Sequence, residues 1–121
     1  MADWTLLHNP RCHTSRKALA LLRENGFEPK IVEYLKTPPS PAELQDLVKM
    51  LGFPATHLLR RKEREFKELK LDGANDAQAI EAMAKHPILI ERPLVIKGGR
   101  AILARPPEKL LEWLWWRPLR P

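Results

Sequence analysis

The chain has 121 residues, 44% apolar and 30% charged, with a formal net charge of +6 and one cysteine. That size and balance describe a single folded domain that can bury a core without disulfides or structural metal, and they exclude a disordered chain. No apolar run reaches the ~20 residues of a membrane helix, the first residues lack a secretory leader's pattern, and the basic residues are scattered without interleaved aromatics. The chain is therefore expected in the cytoplasm, with neither membrane nor nucleic acid as a partner.

Trp4–His8 predicts a strand, ended by Asn9-Pro10-Arg11. A helix is predicted over residues 13–25. Ala18, Leu19, Leu21 and Leu22 form its apolar face, Arg16, Lys17, Arg23 and Glu24 turn outward, and Gly26 supplies a left-handed stop. Residues 30–35 predict a second strand, which completes a β-α-β crossover with parallel strands. After the linker Thr37-Pro38-Pro39, Ser40-Pro41-Ala42-Glu43 reads as a capping box with proline at the first helical position. Leu44, Leu47, Val48 and Leu51 then recur at helical spacing up to Gly52. Residues 54–86 predict short helices and no strand. One holds Leu58-Leu59 and ends at Arg60; one is marked by Phe66 and Leu69 and closed by Asp72-Gly73; one is capped by Asp76, with Ile80, Met83 and Ala84 inward. Leu94–Lys97, Gly98-Gly99 and residues 100–104 predict a β-hairpin on a primed turn. Pro106-Pro107 opens a last helix with Glu108 near its positive end, Leu110, Leu111 and Leu114 facing the core, and residues 117–121 as a polar tail.

The parallel pair and the antiparallel hairpin must share one mixed sheet, because neither can cover both of its faces alone. The expected fold class is therefore α/β, with a thioredoxin-like four-stranded mixed sheet. Residues 1–121 form one domain, in which 1–37 and 88–117 make the thioredoxin-like core and 38–87 an inserted helical block.

Cys12 falls where the first strand gives way to the first helix. The opening N–H groups of a helix have no intrahelical partner and favour negative charge, so a thiol placed there is acidified. A thiol of ordinary acidity is about 3% ionised at pH 7, and one a hundredfold more acidic is about three-quarters ionised, roughly 25 times more nucleophile. His8, if cationic, would push in the same direction. Thr14 and Ser15 can cap the helix or hydrogen-bond the sulfur, and one of them is expected to cap. A Cys-x-x-Cys site would need a second thiol at Ser15, so any redox cycle must borrow a thiol from outside. A phosphatase loop would need arginine at Ala18. A lone cysteine offers no thiolate zinc site. Pro93 precedes the hairpin, where thioredoxin-type folds place a proline, usually cis, against the active-site loop. Arg92 would then project near Cys12. With Arg60 and Arg105 it could hold a tetrahedral oxyanion by forked hydrogen bonds.

The segments His8-Asn9-Pro10-Arg11-Cys12-His13-Thr14-Ser15-Arg16, Tyr34-Leu35-Lys36-Thr37-Pro38-Pro39, Leu58-Leu59-Arg60, His86 through Pro93 and Arg105-Pro106 together resemble the glutaredoxin-coupled arsenate reductases, in order and spacing through nearly the whole chain. Met50-Leu51-Gly52 and Arg105-Pro106-Pro107-Glu108 resemble that family's short bacterial branch. The resemblance implies Cys12 as nucleophile, His8 as its assistant, and Arg60, Arg92 and Arg105 as the oxyanion site, with Asn9, Ser15 and Pro93 in support. It implies arsenate as substrate, glutathione as co-substrate and glutaredoxin as partner, in a monomer with no bound cofactor or metal. Two other readings are compatible with the residues. One is a thiol oxidoreductase acting on glutathione mixed disulfides, which needs the thiolate but not three arginines. The other is a regulatory binding module with an inert cysteine, for which Trp113-Leu114-Trp115-Trp116 offers a partner surface. The wider group's polymerase-binding redox regulator typically carries Cys-x-x-Cys, which Ser15 excludes.

Overall fold

The structure is a computed structural model and describes residues 4–115. The expected polar tail and Trp116 lie outside the described residues, as do the side chains of Leu114 and Trp115. Four strands form one sheet in the order β2-β1-β3-β4. They are β1 (Trp4–His8), β2 (Lys30–Glu33), β3 (Leu94–Lys97) and β4 (Arg100–Leu103), and β1 pairs parallel to β2 and antiparallel to β3. The helices are α1 (His13–Glu24), α2 (Pro41–Leu51), α3 (Arg64–Glu68), α4 (Asp76–Lys85) and α5 (Leu110–Trp115), with 3-10 turns at Ala55–Leu58, Pro87–Leu89 and Pro107–Lys109. This is the thioredoxin-like mixed sheet that the sequence predicts.

β1 is central, so both of its faces must be apolar and covered. Trp4 and Leu6 pack with Val95 under Ala18 and Leu22 of α1 and Leu110 of α5. Leu7 lies on the opposite face in a second cluster with Leu44 and Leu47 of α2, Ile80 and Met83 of α4, and the turn residues Leu58 and Leu89. The segment predicted as an insert thus supplies the second helical layer. Among the described residues, no helix is long and apolar enough to cross a membrane.

Several local expectations shift by a residue or more. β2 stops at Glu33, whose carbonyl accepts from the Lys36 and Thr37 amides and turns the chain. Leu59 is extended rather than helical and pairs with Ile90 in an isolated antiparallel bridge, so Arg60 follows a bridge and not a helix. α4 is capped by Asn75, in a capping box with Gln78. Asp76 is its first residue, and its carboxylate accepts from the Thr56 amide instead. Leu69 is 44% exposed, and Lys70, at φ +54°, supplies the left-handed residue after α3. In the hairpin only Gly98 takes positive φ, +62°, the pattern of a II′ turn.

The Ser40 box is present as predicted: its hydroxyl accepts from the Glu43 amide, the Glu43 carboxylate accepts from the Ser40 amide, and Gly52 closes α2 at φ +79°. Ser40→Ala should therefore cost about 1 kcal/mol, read as a lower urea midpoint at unchanged slope. An unmoved midpoint would show that the cap contributes nothing to stability.

Candidate active site

The sheet topology brings four chain segments to one end. β1 and β2 run parallel with His8 opposite Glu33, so Asn9 and Tyr34 leave the sheet side by side. β3 runs the other way, with Leu94 opposite Leu7, which puts Arg92-Pro93 at the same end. β4 returns with Leu103 opposite Leu94 and delivers Arg105 there as well. Pro93 is fully buried and follows a cis bond, as does Pro106. Arg60 comes from the second helical layer and is strapped on by two backbone bonds, Arg60 N–H to the Leu89 carbonyl and Glu91 N–H to the Leu58 carbonyl, each 2.8 Å.

The loop between β1 and α1 is held from within. The Cys12 amide donates to the Asn9 carbonyl at 2.9 Å, the Arg11 amide to Asn9 Oδ1 at 3.0 Å, and Arg16 Nη1 to the Pro10 carbonyl at 2.9 Å. Arg16 is a strut of the loop. Lys17 instead pairs with Glu108 at 3.5 Å between exposed side chains. Ser15 does not cap α1. It is fully buried, its hydroxyl lies 2.6 Å from His8 Nδ1, and it accepts from the Asn9 amide at 3.0 Å. Burial pushes the pKa of His8 below the ordinary imidazole range, opposed by Glu33 and aided by Arg16 and Arg23. The neutral imidazole is therefore the favoured form at pH 7. The push that a cationic ring would give the thiol is disfavoured accordingly, and the ring is held against Ser15 in the loop. Ser15→Ala removes this partner from a buried ring nitrogen and should cost about 1–3 kcal/mol in urea unfolding; an unchanged midpoint would show that the pair holds nothing.

Cys12 is free, half-buried and the N-cap residue of α1. Burial pushes its thiol up, but the Ser15 amide, the Arg92 charge, the Thr14 amide and an Arg92 hydrogen bond together outweigh it, leaving the thiol more acidic than usual. The sulfur makes no hydrogen bond of full capping geometry, so the helix amides act on it as oriented dipoles.

Arg60, Arg92 and Arg105 come together along an open cleft of about 540 Å³, which His57, Arg61, Lys62 and Glu91 also line. Cys12 is not among its lining residues; Arg92 belongs to both, lining the cleft and acting on the sulfur. Arg105 Nη1 donates to the Arg92 carbonyl at 3.1 Å, and Arg60 Nη1 to the Ile88 carbonyl at 3.3 Å. Two carboxylates already occupy the cations: Glu63 pairs with Arg60 at 2.7 Å and Glu91 with Arg92 at 3.4 Å. Sequence reasoning passed over both glutamates, although Glu63 stands three residues after Arg60 and Glu91 directly before Arg92. It also passed over Tyr34, whose signal was its register beside Asn9. Tyr34 is 1% exposed, and burial, with the Cys12 charge, pushes its phenol up against the pull of Arg92 and Arg60.

An acidified single cysteine at a strand-to-helix junction, with a buried proline before the third strand, defines a thiol-based protein of thioredoxin-like fold. The ArsC family model matches residues 7–113. The chain is 48% identical over 110 residues to the YfgD protein of Escherichia coli K12, covering 88% of this chain and 92% of that one. It is 44% identical over 112 residues to the arsenate reductase of Rhizobium meliloti strain 1021, covering 91% and 80%. The solved structure of an arsenate reductase from Vibrio cholerae superposes with a TM-score of 0.88 at 43% identity, over 93% of this chain and 98% of that one. The chain belongs to the ArsC family.

The acidity of Cys12 is directly measurable. Iodoacetamide alkylation should switch on with a pH midpoint below the ordinary thiol range, and Arg92→Ala should move that midpoint upward. A wild-type midpoint at or above that of a free thiol would mean that the sulfur is not activated.

Proposed function

We propose that the chain is an arsenate reductase that uses Cys12 as nucleophile and external thiols as the source of electrons. The observation that carries this is the joint presence, through Arg92, of an acidified thiol and a cleft lined by three arginines. Glutathione-disulfide exchange alone would need the thiol and not the arginines. A regulatory module would need neither.

Arsenate enters as a dianion, and Arg60, Arg92 and Arg105 bind it in exchange for contacts now made by Glu63 and Glu91. The Cys12 thiolate attacks arsenic, a sulfur–arsenic bond forms, and one oxygen leaves as water after protonation. Glutathione displaces a second oxygen and gives a Cys12–As–SG adduct. A glutaredoxin thiolate then attacks the glutathione sulfur, and the electron pair of the S–As bond returns to arsenic. Arsenic falls from As(V) to As(III), the two donor thiols end as a disulfide, and hydrolysis of the Cys12–As bond releases arsenite. With Ser15 where a resolving thiol would stand, the donor must come from outside. The cleft, at about 540 Å³, is many times the ~30 Å³ share of one water and leaves room for an incoming thiol beside the oxyanion. The reducing cytoplasm, where glutathione is maintained, suits this cycle.

The test is arsenate-dependent NADPH oxidation coupled through glutathione reductase, glutathione and glutaredoxin. Cys12→Ser should fall to the no-enzyme background, and Arg92→Ala should lose at least ~10-fold in kcat/KM for arsenate. Equal rates for wild type and Cys12→Ser would end the proposal. A glutathione-disulfide activity that survives Arg92→Ala would favour the mixed-disulfide reading.

A further inference from the structure

Tyr34 carries a polar group that the fold does not use. Its ring is part of the apolar cluster under α2, yet its hydroxyl is buried and has no hydrogen-bond partner. Tyr34 leaves β2 beside Asn9, and its hydroxyl is close enough to Arg92, Arg60 and Cys12 to feel the charge of each. The Asn9 side chain is close enough to stabilise the phenolate form, but it makes no hydrogen bond of full geometry that would accept the hydroxyl proton. Arg92 Nε is a second buried donor left without a partner. Guanidinium groups only donate, so the arginines beside Tyr34 cannot take its proton. Buried polar groups are nearly always satisfied, and two unsatisfied donors next to a nucleophilic sulfur, in a positive field, call for an acceptor rich in lone pairs and negative charge.

We infer that Tyr34 is a further oxyanion-binding residue, whose hydroxyl donates, alongside Arg92 Nε, to an oxygen of the anion held at or bonded to Cys12. The inference rests on the oxyanion reading of the cleft and adds to it a neutral, buried donor. Burial pushes the phenol up while the thiol is pulled down, so at neutral pH the hydroxyl is a donor.

The experiment is protection of Cys12 from iodoacetamide by arsenate, in wild type and Tyr34→Phe, with thermal unfolding measured on both. Phenylalanine preserves the ring and its packing. Without arsenate the two proteins should alkylate within about twofold of each other, and the variant's Tm should be unchanged or higher, since the hydroxyl has no partner to lose. With arsenate the half-protecting concentration should rise at least ~10-fold in the variant, the size expected for one hydrogen bond to a charged group. Equal half-protecting concentrations would overturn the inference and leave the oxyanion site itself standing. A lower Tm in the variant would overturn it too, by showing that the hydroxyl serves the fold. Wild-type protein that arsenate does not protect would overturn the oxyanion reading, and this inference with it.

Discussion

The first amides of α1 are left open because the residue at its N-cap is a cysteine. In α2 and α4 the same position is filled by Ser40 and Asn75, whose oxygens take the amides in reciprocal boxes. At α1 the sulfur of Cys12 is offered to the Ser15 and Thr14 amides without completing a cap, and Ser15, the residue best suited to compete for them, has its hydroxyl committed to His8 and Asn9. The helix field is thus reserved for a thiolate. Local helix stability is given up at this end, and the sheet face, through Ala18 and Leu22, anchors the helix instead.

That field is local, and the rest of the site must be carried to it. The central position of β1 makes this possible: both of its neighbours end or begin beside the Cys12 loop, and β4 follows one hairpin later. Arg60 has no strand to ride on. It reaches the site because Leu59 pairs with Ile90 just before Arg92, so one bridge couples the second helical layer to the cation that acts on the sulfur. Arg105 is tied in similarly through the Arg92 carbonyl. Arg92 is consequently the hub: its main chain holds Arg105, its side chain acts on Cys12, and the segment before it holds Arg60.

The glutamates temper this positive field. A bare group of arginines would attract any anion, whereas Glu63 and Glu91 already pair with two of them. Both pairs are largely buried, and there an ion pair gains less than its Coulomb attraction implies because each charge has been taken out of water. Exchange for a dianion is therefore feasible. The carboxylates keep the arginines ordered meanwhile.

The strands, the capping box at Ser40, the Gly52 stop, the strand-to-helix position of Cys12 and the lack of a second thiol at Ser15 were all legible in the sequence, because each depends on residues within a few positions of one another. The four-stranded sheet followed from them, since two half-covered strand pairs have one economical way to join. What escaped was whatever depended on burial or distant partners. The charge of His8 stayed open in the sequence because its ring is 6% exposed and lies 2.6 Å from the Ser15 hydroxyl, seven residues away in the chain. Arg60 was assigned to a helix end because a bridge to Ile90 leaves no periodicity to read. The pairing of Glu63 and Glu91 had only their nearness to Arg60 and Arg92 in the chain to suggest it, and the strut role of Arg16 and the unpartnered hydroxyl of Tyr34 depend on packing that no local pattern encodes. The sequence by itself determined the chemistry available, one sulfur and several cations. Only the tertiary structure decided which charges face the sulfur and which are neutralised, because solvent exclusion and contact across tens of residues are properties of the packed chain.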